Sequence, residues 1–132
     1  MSAIVCVGEH LEERESGHTH DVLKVQLDAL KASIKDWTKI VIAYEPVWAI
    51  GTGKTATPEI AQEAHEFIRK WIQQNAGDAV ANATRVIYGG SVNDQNAESL
   101  IHQKDIDGFL VGGASLTEKF FTIVEITNKH AP

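Results

Sequence analysis

The segment from residue 43 to residue 58 reads AYEPVWAIGTGKTATP and contains, in order, the end of a strand, a loop and the start of a helix. The apolar run of residues 40–44 is rich in β-branched side chains, which is typical of a buried strand. Pro46 cannot continue a hydrogen-bonded ladder, so the strand is expected to end at Glu45. Thr57-Pro58 has the residue types favoured at the N-cap and first position of a helix. The segment therefore predicts a βα unit with a carboxylate at the strand tip and a candidate lid.

Glu45 has two interpretations. A lone glutamate at the end of a strand is most often a solvated surface acid. The loop that follows it carries Trp48 and Ile50 beside two glycines, and such a loop suits a cover that closes over a site. Trp48 and Ile50 also fit a simpler reading as loop residues packed on the surface. The combination of strand-end acid and lid-like loop favours a functional carboxylate.

Three further apolar runs predict strands of the same kind as the one before Glu45. All four are continuously apolar rather than alternating, and helical segments separate them. That pattern is typical of a parallel sheet covered by helices. The sequence therefore predicts an α/β fold of four parallel βα units in one domain, residues 1–132. The predicted strands are residues 3–7, 40–45, 85–88 and 107–111.

Capping signals mark where the helices are expected to begin and end. One helix is expected to begin near Thr19, and the helix after Thr57 is expected to end at Gly77, a favoured C-cap residue. A short helix is expected around residues 96–102. The stretch 115–118, SLTE, fits a capping box and predicts the start of the last helix. That helix is expected to bury Phe120, Ile123 and Val124.

Charge and composition disfavour several classes of partner. The 132 residues carry a formal net charge of −6, which disfavours nucleic acid and anionic membranes. No membrane-spanning run and no leader pattern are expected, and Met1-Ser2 fits a plain start before a strand. The single Cys6 cannot form an internal disulfide, which suits a cytoplasmic protein, and its apolar strand predicts a buried structural thiol. The six histidines lack metal-ligand spacing, so no metal site is predicted.

Glycine pairs follow three of the predicted strands. They are Gly51 with Gly53, Gly89 with Gly90, and Gly112 with Gly113. Because parallel strands end at one rim, these pairs are expected to converge, and glycine lets backbone N–H groups approach a ligand closely. The last pair also precedes a helix N-terminus, where an anion is favoured. Three pairs beside a carboxylate predict a phosphate site, although each pair alone would more often be a tight turn.

The segment 43–58 resembles the catalytic loop of the triosephosphate isomerase family. Residues 5–9 (VCVGE), 88–92 (YGGSV) and 108–115 (GFLVGGAS) resemble the same family, and the likeness extends from about residue 3 to about residue 126. The resemblance implies a (β/α)8 barrel, which takes about 250 residues. This chain is therefore expected to be the C-terminal half of such a barrel, from about the fifth strand onward.

The resemblance also implies roles for individual residues. Glu45 would be the catalytic base that moves a proton between adjacent carbons, interconverting dihydroxyacetone phosphate and glyceraldehyde 3-phosphate in glycolysis and gluconeogenesis without metal or organic cofactor. The implied phosphate-binding residues are Gly51, Ser91, Gly112 and Gly113. The implied lid hinges are Pro46, Val47, Trp48, Lys54, Thr55 and Ala56. Tyr88 and Ser91 would hydrogen-bond the closed lid, and Ile50 and Leu110 would pack around Glu45.

The chain departs from the family pattern in two ways. The electrophilic histidine and the charge-neutralising lysine of the family belong to the first half of the barrel and have no match here. The isolated chain is therefore expected to be nearly inactive, and to associate with itself or with a chain that supplies that half. Residues 117–120 (TEKF) replace the usual Lys-Pro-Glu-Phe, which is expected to affect helix entry and not chemistry. Arg69 and Asp105 are expected to form a structural ion pair.

Two alternative functions remain open from the sequence. A half-barrel could serve as a non-catalytic module that self-associates or binds a partner. It could also be half of a different phosphate-binding barrel, although the lid motif argues against that reading.

Overall fold

A parallel sheet forms the centre of the molecule. The computed structural model describes residues 1–50 and 55–131. Its strands are β1 (Ala3–Val7), β2 (Ile40–Tyr44) and β3 (Val86–Tyr88), in the spatial order β1-β2-β3. All neighbours are parallel, with Val7 opposite Tyr44 and Tyr44 opposite Tyr88. The α/β class and the parallel sheet predicted from the continuously apolar runs are therefore confirmed.

The described part of the chain contains six α-helices. They are α1 (Leu11–Glu15), α2 (Thr19–Lys31), α3 (Pro58–Ala76), α4 (Asp78–Ala83), α5 (Ala97–Ile101) and α6 (Lys119–Lys129). The helix α3 begins as expected, because the Thr57 side chain accepts a hydrogen bond of 3.2 Å from the Ile60 amide. It ends as expected at Gly77, whose φ of 96° suits glycine. The helices α1 and α4 were not predicted.

The fourth predicted strand, residues 107–111, is reduced to a single parallel bridge between Tyr88 and Phe109. The segment still runs alongside β3. The Tyr88 amide donates to the Gly108 carbonyl at 2.9 Å, and the Leu110 amide donates to the Tyr88 carbonyl at 2.9 Å. The prediction of four full strands is therefore wrong for this segment, whereas the prediction of its parallel direction is right.

Side-chain hydrogen bonds explain why the fourth strand is short. The Val86 amide donates to the Asp107 carboxylate at 2.9 Å instead of to a backbone carbonyl. The carbonyl of Asp105 accepts a hydrogen bond of 3.1 Å from the Arg69 guanidinium. The Asp107 amide still donates to the Val86 carbonyl at 3.0 Å, so backbone contact reaches the start of the segment. Because the Val86 amide bonds a side chain instead, the regular ladder is limited to the Tyr88–Phe109 bridge.

The two faces of the sheet differ in how well they are covered. On one face, Tyr44 and Tyr88 are fully buried in a cluster with Leu23 and Ile68 of the helices. The other face is more open, and Ile4 at the β1 edge is 55% exposed. Cys6 lies on this open face and is exposed, so the prediction of a buried thiol is wrong. The apolar composition of β1 suits burial on both faces, but only one is covered by helices.

The last helix begins later than predicted. Gly113–Leu116 forms a 3-10 turn, and α6 starts only at Lys119. The predicted capping box is absent because the Ser115 hydroxyl donates to the Gly112 carbonyl at 2.5 Å instead of accepting from a helix amide. The Thr117 hydroxyl likewise donates to the Ala114 carbonyl, at 2.9 Å. Ile123 is buried as expected, whereas Phe120 is only half-buried and Val124 is 47% exposed. No helix in the described ranges has the length and apolar character needed to cross a membrane.

Candidate active site

Glu45 stands at the end of β2, where two glycines allow close approach. Its amide donates to the Val7 carbonyl at 2.7 Å, which carries the sheet pairing one residue past the strand. A Cβ at Gly8 would collide with the Glu45 carbonyl, and a Cβ at Gly89 would lie 2.6 Å from the Glu45 Cγ. These two positions therefore require glycine. They fix a half-buried carboxylate between the ends of β1 and β3.

The Cys6 thiol lies beside Glu45 on the open face of the sheet. Partial burial raises the pKa of the Cys6 thiol above its usual value, and the negative charge of the Glu45 carboxylate raises it further. The thiol is therefore held in its protonated, weakly nucleophilic form. A protonated Cys6 is therefore a poor candidate for a reacting nucleophile.

One cavity of about 720 Å³ gathers Glu45 and those of the predicted phosphate-binding residues that the structure describes. It opens where the strands end, and Glu45 faces it together with the loop after β3 and the 3-10 turn before α6. Ile50 lines the cavity but is 47% exposed, so it covers Glu45 only partly. The predicted site residues in its wall are Glu45, Ile50, Ser91, Leu110, Gly112 and Gly113.

The first hinge of the predicted lid is anchored at two points. Pro46 is buried and precedes a 3-10 turn, Val47–Ala49. The Val47 amide donates to the Glu9 carbonyl at 3.0 Å. The Trp48 indole donates to the Glu9 carboxylate at 3.0 Å. The start of the loop is therefore held to the end of β1.

Glu9 anchors the start of the predicted lid, a role that sequence reasoning did not single out. Its carboxylate is fully buried and accepts hydrogen bonds of 2.7 and 3.1 Å from the Tyr44 hydroxyl. Burial and the Glu9 charge raise the pKa of Tyr44 far above its usual value, so Tyr44 stays a donor. The available signal was positional, because Glu9 follows β1 just as Glu45 follows β2.

A model of the triosephosphate isomerase family matches residues 1–127. The chain belongs to the triosephosphate isomerase family. It is 56% identical over 124 residues to a protein of Oryza sativa subsp. japonica named "Triosephosphate isomerase, cytosolic". The alignment covers 94% of this chain and 49% of the rice protein. The chain thus spans about half the length of this relative.

The second hinge of the predicted lid is described only in part. Thr55 is exposed and Ala56 is buried, whereas Gly51 and Lys54 lie outside the described residues. The Tyr88 hydroxyl is buried directly under Gly90. Burial raises the pKa of Tyr88 to about 12, and the Ala56 amide acts in the opposite direction. The hydroxyl is therefore a neutral group placed near the end of the lid.

A polar cluster occupies the opposite, amino-terminal end of the strands. The Arg69 guanidinium contacts the Asp105 carboxylate at 3.2 Å and the Asp107 carboxylate at 2.5 Å. The predicted ion pair between Arg69 and Asp105 is therefore present, and Asp107 is an additional member that was not expected. The Arg69 guanidinium also donates to the carbonyls of Ala81 and Thr84, at 2.8 and 2.9 Å. The cluster joins α3, α4 and the segment after β3, which fits a structural role.

The described residues contain no cluster of three or more histidine, cysteine, aspartate or glutamate side chains arranged to hold a metal ion.

Proposed function

We propose that this chain is the C-terminal half of a triosephosphate isomerase barrel, folded as one domain, and that Glu45 is its general base. The observation that carries the proposal is the shared cavity, where Glu45 faces Ser91 and the pair Gly112-Gly113. A cavity of about 720 Å³ suits a small ligand. Family membership supports the choice of a triose phosphate as that ligand.

In the proposed reaction the Glu45 carboxylate takes a proton from the carbon next to the substrate carbonyl. It then returns the proton to the neighbouring carbon, which converts dihydroxyacetone phosphate to glyceraldehyde 3-phosphate. A general base must lie within hydrogen-bond reach of the proton it removes. The glycines at positions 8 and 89 support this role because they hold the carboxylate at the cavity wall.

Backbone amides are the proposed ligands of the substrate phosphate. The Ser91 hydroxyl is already engaged with the Ala49 carbonyl at 2.7 Å, so the Ser91 amide is the proposed donor. The amides of Ser91 and Gly113 donate to no other described residue. Gly112 shapes this group of amides, and Gly51 would add a further one from the lid. Oriented backbone amides of this kind bind anions without a basic surface.

The proposed enzyme needs a chain that supplies the first half of the barrel. The histidine and lysine that the family resemblance implies for the carbonyl and the substrate charge would come from that half. Large apolar side chains left exposed support the need for a cover, including Ile4 at 55% and Phe121 at 71%. The rice relative is named cytosolic, which supports a cytosolic location for the assembled enzyme.

An isomerase assay with and without the first half of the rice protein tests this proposal. The purified chain is expected to convert dihydroxyacetone phosphate at near-background rates, and the added half is expected to restore turnover. Glu45→Gln should lower the restored rate by at least about a hundredfold, because general-base catalysis is lost. Glu59→Gln, an exposed change of the same type in α3, should leave it unchanged. Full turnover by the chain alone would contradict the need for the first half.

A second candidate function is a non-catalytic assembly module. The same exposed apolar residues favour it, because unpaired sheet edges and apolar surface promote association. The assay separates the two functions. A module would associate with the first half and show no turnover that depends on Glu45.

A further inference from the structure

Lys119 is the one cation among the described residues that line the cavity. The single carboxylate of that lining is Glu45, and the remaining members are apolar, glycine or neutral polar residues. The whole chain carries a formal net charge of −6. A lysine on the wall of this cavity therefore places positive charge where the surrounding protein is acidic.

Lys119 has no acidic partner in the described part of the chain. Two other helical lysines do, since Lys24 pairs with Asp28 and Lys70 pairs with Glu66, both at 2.6 Å. Lys119 is the first residue of α6, where the helix dipole disfavours a cation. The first turn of α6 holds no acidic residue, and the nearest acid along the chain is the N-cap, Glu118. An anion bound in the cavity would gain a charge-assisted hydrogen bond from the Lys119 ammonium group.

The position of Lys119 also corrects an expectation from the sequence. The departure from the family pattern at residues 117–120 was expected to affect helix entry and not chemistry. Thr117 and Lys119 both line the cavity, beside Gly112 and Gly113. The departure therefore changes the wall of the candidate site itself.

We propose that Lys119 is a phosphate-binding residue of this cavity, acting with the amides of Ser91 and Gly113. This inference rests on the proposed phosphate site. A lysine has a flexible stem and three donors, so its ammonium group reaches an anion from the rim without a fixed geometry. Its contribution is selective for charge, which favours a phosphorylated triose over its unphosphorylated counterpart.

Titration of the purified chain with inorganic phosphate tests the inference, with the backbone amide NMR signals of Ser91 and Gly113 as the readout. Lys119→Gln should weaken phosphate binding by about threefold to fivefold, the range for a solvent-exposed ion pair. Lys119→Arg should retain near-normal affinity because it keeps the charge. Lys129→Gln removes the same charge from the last turn of α6 and should have no effect.

Each outcome decides between specific alternatives. If phosphate moves the Ser91 and Gly113 signals equally well in Lys119→Gln, Lys119 is a solvated surface lysine, and the proposed phosphate site still stands. Equal weakening by Lys119→Gln and Lys129→Gln would show an effect of net charge alone and would also overturn the inference. If phosphate moves neither signal in the unmodified chain, both the inference and the proposed phosphate site are wrong.

Discussion

The Ser91 hydroxyl donates a hydrogen bond of 2.7 Å to the Ala49 carbonyl. This bond joins the loop after β3 to the 3-10 turn Val47–Ala49, where the predicted lid begins. Ser91 also lines the cavity beside Gly112 and Gly113. The start of the predicted lid and the proposed phosphate site are therefore linked through one residue.

Ser91→Ala should lower kcat/KM of the chain assembled with a first half by about fivefold to tenfold. The reason is the loss of one hydrogen bond that holds the lid, a contribution of about 1 kcal/mol. Steady-state isomerase kinetics measure it. Ser99→Ala is the matched control, because the Ser99 hydroxyl bonds only the Asn96 carbonyl on an exposed surface. An unchanged kcat/KM in Ser91→Ala would show that this bond does not support the lid.

Glu9→Gln should lower the free energy of unfolding by about 2 kcal/mol. The buried carboxylate accepts from both the Tyr44 hydroxyl and the Trp48 indole, and a carboxamide places an N–H₂ group where an acceptor is needed. Urea denaturation monitored by tryptophan fluorescence measures the change. Glu12→Gln, on the exposed surface of α1, should change stability by less than about 0.5 kcal/mol. Equal stability of the two variants would contradict a stabilising role for the buried Glu9 hydrogen bonds.

Acidification should destabilise the chain through His65. The ring is fully buried, its Nδ1 donates to the Asp105 carbonyl at 3.2 Å, and its Nε2 has no partner among the described residues. Burial lowers the pKa of His65 from 6.5 to about 4. Between these two pH values the unfolded chain binds more protons than the folded chain, so stability falls as pH falls. The loss should reach roughly 3 kcal/mol below pH 4.

Urea unfolding at several pH values between 7 and 4 measures this dependence. His65→Phe keeps an aromatic ring against Tyr44 and should flatten the slope in that window. His18→Gln, an exposed change, should leave the slope as it is. Parallel stability curves for the unmodified chain and His65→Phe would assign the acid sensitivity to other groups.

Arg69→Met should lower the free energy of unfolding by about 3 kcal/mol or more. It leaves the Asp105 carboxylate, whose side chain is only 10% exposed, without its counter-charge. Lys70→Met breaks the neighbouring surface pair with Glu66 and should cost less than about 1 kcal/mol. Thermal or urea unfolding compares the two. Similar costs would mean that the Arg69 cluster behaves as an ordinary surface ion pair.

Local sequence signals were sufficient for much of the fold. The strands β1 and β2 follow from apolar runs, and the limits of α3 follow from Thr57 and Gly77, whose capping geometry depends on adjacent residues alone. The shared location of Glu45, Ser91 and Gly113 follows from the rule that parallel strands end at one rim.

The features that the sequence did not predict depend on contacts between distant residues. The fourth segment pairs irregularly with β3, because the Asp107 amide bonds the Val86 carbonyl while the Asp107 carboxylate bonds the Val86 amide, and no apolar run reveals such a competition. The role of Glu9 depends on the Trp48 indole, 39 residues away. The last helix starts late because the Ser115 hydroxyl donates to the Gly112 carbonyl instead of capping the helix, and Lys119, the first residue of α6, lies in the cavity wall.

Proton transfer by Glu45 is tested most directly by deuterium exchange. Dihydroxyacetone phosphate is incubated in D₂O with the chain and a first half of the barrel, and NMR follows deuterium entering the carbon next to the carbonyl. We expect exchange with the unmodified chain and with Glu59→Gln, and a loss of at least about a hundredfold with Glu45→Gln. Exchange by Glu45→Gln at the unmodified rate would contradict the assignment of Glu45 as the base.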